Sequence, residues 1–219
     1  MGTLIAIPTR SNWKMLSPLL FFLKNYDVVI YDNGHTSEEG VSVINNHQGE
    51  VVNAHGWKFY RMWNDAWKKA HEDGYESVTL LNDDIELHEN SIEVAQRVLM
   101  DDTTVGIVGL NYNRSLSDGS DFTAGFKQCD GSYRKYGIWG CAFLVKSNLW
   151  GVVPPIDEGY NLWYGDDELF ENTIRHGYRI GIALGAPVLH YASTTASAHP
   201  ELLAMTKDDA ELFYSKFNN

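Results

Sequence analysis

Short apolar runs alternate along the chain with stretches of helical periodicity. "TLIAIPT" (3–9) is a nearly unbroken apolar run and reads as a buried strand entering a loop at Pro8. "NWKMLSPLLFFLK" (12–24) reads as a helix that Pro18 either disturbs or starts. "YDVVIYDNG" (26–34) is a second strand, stopped by the turn signal Asp32-Asn33-Gly34. Over 59–74, Phe59, Met62, Trp63, Ala66, Trp67 and Ala70 recur at helical spacing, and Gly74 closes the helix. "SVTLLNDD" (77–84) is a third strand, 91–102 a helix and "VGIVGLNY" (105–112) a strand.

This order predicts an α/β fold, a mainly parallel mixed sheet flanked by helices on both faces. The second half is patterned differently. Residues 115–135 are polar, Gly-rich and loop-like, followed by a strand over 137–146, a helix over 167–177 and a strand over 178–193 with a Gly-Ala-Pro interruption. No internal repeat or linker divides the chain, so 1–219 is expected to be one domain. Open α/β sheets collect ligands beyond the carboxyl ends of their strands. Thr9-Arg10, Asp32-Asn33 and Asn82-Asp83-Asp84 are therefore expected to converge on one crevice.

Hydrophobic residues make up 44% of the 219 and charged residues 21%, enough for a sizeable core. The net charge of −12 removes any general attraction to phosphate backbones or anionic lipid, and disfavours a nucleic-acid acceptor. The basic clusters, Lys68-Lys69 and Arg134-Lys135, are short. Cys129 and Cys141 have no CxxC spacing and build no disulfide framework, which fits a reduced, cytoplasmic setting. The apolar run at 16–23 is too short to cross a bilayer, and the opening residues do not read as a signal peptide.

The candidate chemistry lies in two acidic clusters. A buried strand that ends in Asp83-Asp84 is costly unless an arginine, a helix N-terminus or a metal compensates the charge. Mg²⁺ and Mn²⁺ prefer such oxygens and keep positions open for phosphate. The alternative is that these acids only begin the turn to the next helix. The second cluster, Asp166-Asp167-Glu168, follows Trp163-Tyr164-Gly165 at a helix start, where the dipole favours carboxylates. Capping accounts for one of the three, and the flanking aromatics offer a sugar ring an apolar face. His190 follows a short apolar strand late in the chain.

Taken in order, "IAIPTRSN", "VVIYDNG", "FYRMWNDAWKKAHEDGYESVTLLNDD" and the long stretch from "GIWGCAFLVK" through "YGDDELF" and "HGYRIGI" to "LHYAS" resemble the nucleotide-sugar glycosyltransferases of family 2, with the GT-A fold. The resemblance runs from Leu4 to about Ser193. It implies inverting transfer of a sugar from a UDP- or GDP-sugar to an acceptor hydroxyl, with Mn²⁺ or Mg²⁺. By that likeness 1–112 is the donor-binding half and 113–219 the acceptor-binding and catalytic half.

Residue by residue, the resemblance gives Asp84 to the metal, joined by His190, and leaves Asp83 as a second contact to ribose or metal. Pro8, Thr9 and Asp32 would hold the nucleoside, with Arg10, Arg61 and Asn64 as contacts to base or phosphate. Asp166 would be the catalytic base, with Asp167, one residue on, as the alternative register. Trp139, Gly140 and Trp163 would wall the donor sugar and acceptor. Trp57, Trp63 and Trp67 read as helix packing. Asn82 and Gly165 stand where the family usually has acids, which keeps open a non-catalytic sugar-binding domain. A nucleotidyltransferase would need a Gly-rich loop after the first strand, and "PTRSNWK" has no glycine. The acceptor (glycan, protein or modified nucleobase) is expected under the loop 113–135.

Overall fold

The computed structural model describes residues 2–10, 12–34, 37–112, 125–129, 138–191 and 204–217. Among these, nine strands form one sheet: β1 (Thr3–Thr9), β2 (Val28–Asp32), β3 (Glu50–Asn53), β4 (Ser77–Leu81), β5 (Ile85–Leu87), β6 (Val105–Tyr112), β7 (Phe126–Cys129), β8 (Ala142–Lys146) and β9 (Arg179–His190). The helices are α1 (Trp13–Phe22), α2 (Glu38–Asn45), α3 (Phe59–Glu72), α4 (Ser91–Asp101), α5 (Gly165–Arg175) and α6 (Thr206–Phe217).

The sheet order is β3-β2-β1-β4-β8-β6-β9-β5, with β7 also paired to β9. The first four strands are parallel neighbours, as are β6 and β9; β8 runs antiparallel between β4 and β6, and β5 and β7 run antiparallel to β9. The sheet is thus mixed, with its parallel part where strands alternate with helices.

Alternation along β1 shows how the two faces are filled. Leu4 and Ala6 belong to a core shared with α3, α5 and α6, whereas Ile5 and Ile7 point into a second core shared with α1, α2 and α4. Both sets are buried, so the strand reads as one apolar run. Pro18 lies inside α1 rather than at its start. It removes the backbone bond to the Lys14 carbonyl, and burial of Leu16 and Leu19 on the sheet holds the helix regardless. Gly74 ends α3 with φ +79, as its position predicts.

Several elements depart from the expected pattern. The strand over 77–84 stops at Leu81, leaving Asn82–Asp84 in a turn before the short β5. The strand over 137–146 begins only at Ala142, and Ile138–Cys141 run as loop and turn. Part of the loop-like segment, Phe126–Cys129, is β7. The loop proposed over the acceptor, and with it Arg134-Lys135, lies otherwise outside the described residues. In β9 the Gly-Ala-Pro segment does not end the strand; the pairing with β6 jumps from Leu110↔Ala183 to Asn111↔Pro187, a bulge. Cys129 and Cys141 are both buried. No helix among the described residues is long and apolar enough to cross a membrane.

Candidate active site

A cavity of about 350 Å³ opens beyond the carboxyl ends of β1 and β4, and Pro8, Thr9, Arg10, Asn33, Asn82, Asp83 and Asp84 all reach it. The expected convergence of strand ends therefore holds in outline. At β1, the Thr9 hydroxyl donates to Asp83 Oδ2 at 2.6 Å, and Asn12 Nδ2 approaches Asp83 Oδ1 at 3.4 Å. Asp83 thus ties the end of β1 to the acidic turn.

Asp84 is placed by strand pairing. β5 runs antiparallel to β9 with Ile85 opposite His190, and the Tyr191 N–H donates to the Asp84 carbonyl at 3.0 Å. His190 Nε2 consequently sits 3.0 Å from Asp84 Oδ1, with side-chain exposures of only 12% and 6%. Both groups line the cavity. A carboxylate oxygen and an imidazole nitrogen at one wall fit a divalent ion such as Mn²⁺. No group of three or more His, Cys, Asp or Glu suited to a metal occurs among the described residues. Asp84 and His190 would then hold the ion as a pair, leaving its other positions to substrate phosphate and water.

A second acidic stretch of the lining comes from α5. Asp166, Asp167 and Glu168 occupy its first turn, but the N-cap is Tyr164 and not one of the acids. Tyr164 is left-handed, with φ +67, alone among the described non-glycine residues. For a bulky side chain this conformation is costly and must be imposed by its surroundings. A Cβ on Gly165 would strike the Tyr60 ring, so a glycine is sterically required there. A Cβ on Gly140 would strike the Asp166 carboxylate, which therefore rests against the Gly140 backbone at the cavity wall. Asp167 also lines the cavity and is 2% exposed. Glu168 turns away, accepting from the Asp157 N–H at 3.0 Å and pairing with Lys216 at 2.9 Å.

Both acidic clusters act on Cys141. Burial pushes its thiol up to about 12, reinforced by the negative charge of Asp84 and, more weakly, of Asp166. Tyr60, whose hydroxyl donates to the Leu162 carbonyl at 2.7 Å, is held well above its usual range by burial first and Asp166 second. Four carboxylates line the cavity (Asp83, Asp84, Asp166 and Asp167) against the cations Arg10 and Lys58 and the imidazole of His190.

Trp139 and Trp163 also line it, Trp139 stacked on Tyr112 with centroids 4.6 Å apart. Two tryptophans read as helix packing belong to the cavity as well: Trp57 and Trp63. Asn33 Nδ2 donates to the carbonyls of Ala54 (2.6 Å) and Trp57 (2.9 Å), which pins the turn before α3 and brings the Trp57 ring to the rim. Trp63 does both jobs, packing on Phe143 and facing the cavity. Trp67 stays in the core, packed on Trp150 and donating its indole N–H to the Lys146 carbonyl at 3.1 Å.

Three sequence-derived donor contacts sit elsewhere. Asn64 is buried with its amide bonded both ways to the Ile156 backbone, at 2.7 and 3.0 Å, and does not line the cavity. A base or phosphate contact is therefore closed to it. Arg61 lies over the Trp57 ring at 4.2 Å and braces it from outside. Asp32 ends β2 beside the cavity, where its carboxylate accepts from the Gly34 N–H at 3.0 Å and faces His55 at 3.6 Å, while its neighbour Asn33 does the lining.

No protein-family model and no curated protein sequence matches the chain. Solved structures do. TarS from S. aureus aligns with TM-score 0.64 at 15% identity over 93% of this chain and 63% of its own, so the present chain spans less than two thirds of that protein. The same protein in complex with UDP-GlcNAc aligns with TM-score 0.60 at 16% identity, over 90% of this chain and 61% of its own. Glucosyl-3-phosphoglycerate synthase from Mycobacterium tuberculosis, in complex with Mn²⁺, UDP-glucose and glycerol 3-phosphate, aligns with TM-score 0.64 at 14% identity, over 98% of this chain and 79% of its own. The chain is a single α/β domain with the GT-A fold.

Proposed function

We propose that the protein is an inverting, metal-dependent glycosyltransferase of family 2 type, moving a sugar from a UDP- or GDP-sugar to an acceptor hydroxyl. The observation that carries this reading is one cavity lined by two distinct acidic clusters, Asp84 with His190 beside the β5–β9 pairing and Asp166 with Asp167 in the first turn of α5. Inversion requires a base on the face of the sugar opposite the leaving group, so base and leaving-group site must be separate. Structures of the same fold with UDP-GlcNAc, or with UDP-glucose and Mn²⁺, support the donor class and the ion.

The charge of the cavity supports the cation independently. A diphosphate entering among four carboxylates, with Arg10 and Lys58 as the strong bases, meets net repulsion. A divalent ion at Asp84 and His190, when bound, neutralises the diphosphate and stabilises the charge that develops as it departs. Thr9 and Asp83 shape the floor for the nucleoside, and Trp57 offers it a stacking face. Trp139 and Trp163 give the sugars apolar walls. Asp166 takes the acceptor's proton as its oxygen attacks C1, a role worth roughly 10²–10⁴-fold. Its partial exposure beside Gly140 favours it over the more deeply buried Asp167.

The non-catalytic reading rested on Asn82 and Gly165. Gly165 is accounted for by its contact with Tyr60 and implies no loss of chemistry. Titration of the protein with UDP- and GDP-sugars in the presence of Mn²⁺, scoring nucleotide release, tests transfer against binding alone. Metal-dependent binding without release under any acceptor would support a binding domain instead.

A further inference from the structure

Asp209, on α6, is 1% exposed, and both its carboxylate oxygens are in use. Oδ1 accepts from the Asn161 N–H and Asn161 Nδ2, each at 2.9 Å; Oδ2 accepts from the N–H groups of Leu162 at 3.0 Å and Trp163 at 2.9 Å. One buried anion therefore gathers three consecutive backbone N–H groups of the loop that carries Trp163 and leads directly into Asp166. Charge-assisted bonds of this kind are the stronger ones, and here four act at one point.

The next residue, Tyr164, is the one forced into the left-handed region, and its ring packs on Phe213 and Tyr214 of the same helix, with centroids 5.4 and 6.0 Å away. One turn further on, Lys216 of α6 bridges Asp157 (2.7 Å) and Glu168 (2.9 Å), the second of these in the first turn of α5. Helix α6 thus grips the loop before, at and after the strained residue. None of these α6 side chains lines the cavity.

We infer that Asp209 is a positioning residue for the transfer reaction: its carboxylate fixes the 161–163 loop and so sets where Asp166 and Trp163 stand relative to the bound sugar. The inference rests on the sugar-transfer reading for its effect on rate, but the clamp itself is a property of the fold. Misplacing a catalytic group by about 1 Å can cost on the order of 10²-fold in rate. An amide at 209 keeps one acceptor oxygen and presents a donor where the other stood, so it loses the bonds on that side.

The test compares wild type, Asp209→Asn and Leu212→Ala, the last loosening α6 through its apolar contact without touching the carboxylate. Amide exchange at 161–163 and steady-state kinetics with a nucleotide sugar are read on each. Asp209→Asn is expected to speed exchange at these three amides at least about tenfold with β1 unchanged, and to lower kcat by roughly 10–100-fold with donor KM within about threefold. Leu212→Ala is expected to lower Tm with kcat nearly preserved. Unchanged exchange in Asp209→Asn, or an equal kcat loss in Leu212→Ala, would overturn the assignment. If Asp209→Asn does not fold, wild-type exchange decides: slow exchange at 161–163, matching the α5 interior, supports the clamp, and fast exchange refutes it. A wild type that turns over no nucleotide sugar defeats the sugar-transfer reading and with it the effect on rate, while exchange still decides the clamp.

Discussion

Asp84 and Asp166 both line one cavity, and the different duties proposed for them predict different defects. Asp84→Ala should abolish Mn²⁺-dependent nucleotide binding and leave the fold intact, because its carboxylate faces His190 at the lining of the cavity. Calorimetry with UDP and Mn²⁺ reads this directly, and undiminished affinity in the folded variant would remove the metal assignment. Asp166→Asn should hold donor affinity within a few-fold while turnover falls by about 10²–10⁴, since the amide cannot accept a proton. Asp167→Asn should cost less. A dead Asp167→Asn beside an active Asp166→Asn would move the base one residue on. These acids were legible in the sequence because they interrupt apolar or aromatic runs at strand and helix ends. Asn64 was misread for a related reason: an Asn on the apolar face of a helix serves a ligand or a buried backbone equally well by pattern. Here it serves Ile156.

Elements decide how far those acids can move. Gly140→Ala should leave nucleotide binding nearly unchanged and depress turnover, because the added methyl group displaces the Asp166 carboxylate from its seat. Equal kcat in the folded variant would show that Asp166 tolerates displacement, contrary to the base role proposed for it. Asn64→Ala should do the reverse. It strands the N–H and carbonyl of Ile156, at about 1–3 kcal/mol for each buried group left unsatisfied. Tm should fall by roughly 2–4 °C per kcal/mol, with donor affinity intact, as thermal denaturation with and without ligand would show. The strands bounded by turn signals, β1 and β6, were legible to the residue. The elements α2, β3, β7 and α6 were not, since their places depend on distant partners. The exposed β3 has little apolar pattern, and β7 exists by pairing with β9, some fifty residues away. Helix α6 docks through a buried carboxylate and aromatic rings rather than a broad apolar stripe. The helical period of α3 likewise marked Trp63 as inward without telling that its inward side reaches the cavity.

At the scale of the molecule, an acidic protein carries an acidic cavity, which the proposed anionic donor would have to enter. The net charge is −12, and the cavity carries four carboxylates. Neither alone names a substrate, but under the proposed function they together predict that a nucleotide diphosphate binds only with a divalent cation. The most direct measurement is therefore a paired titration of the wild-type protein with UDP- and GDP-sugars, with Mn²⁺ and with EDTA, following heat of binding and release of free nucleotide in the same samples. Binding and slow nucleotide release with Mn²⁺, both abolished by EDTA and both lost in Asp84→Ala, are the predicted results. Equal binding in EDTA, or metal-dependent binding with no release under any acceptor, would contradict the account.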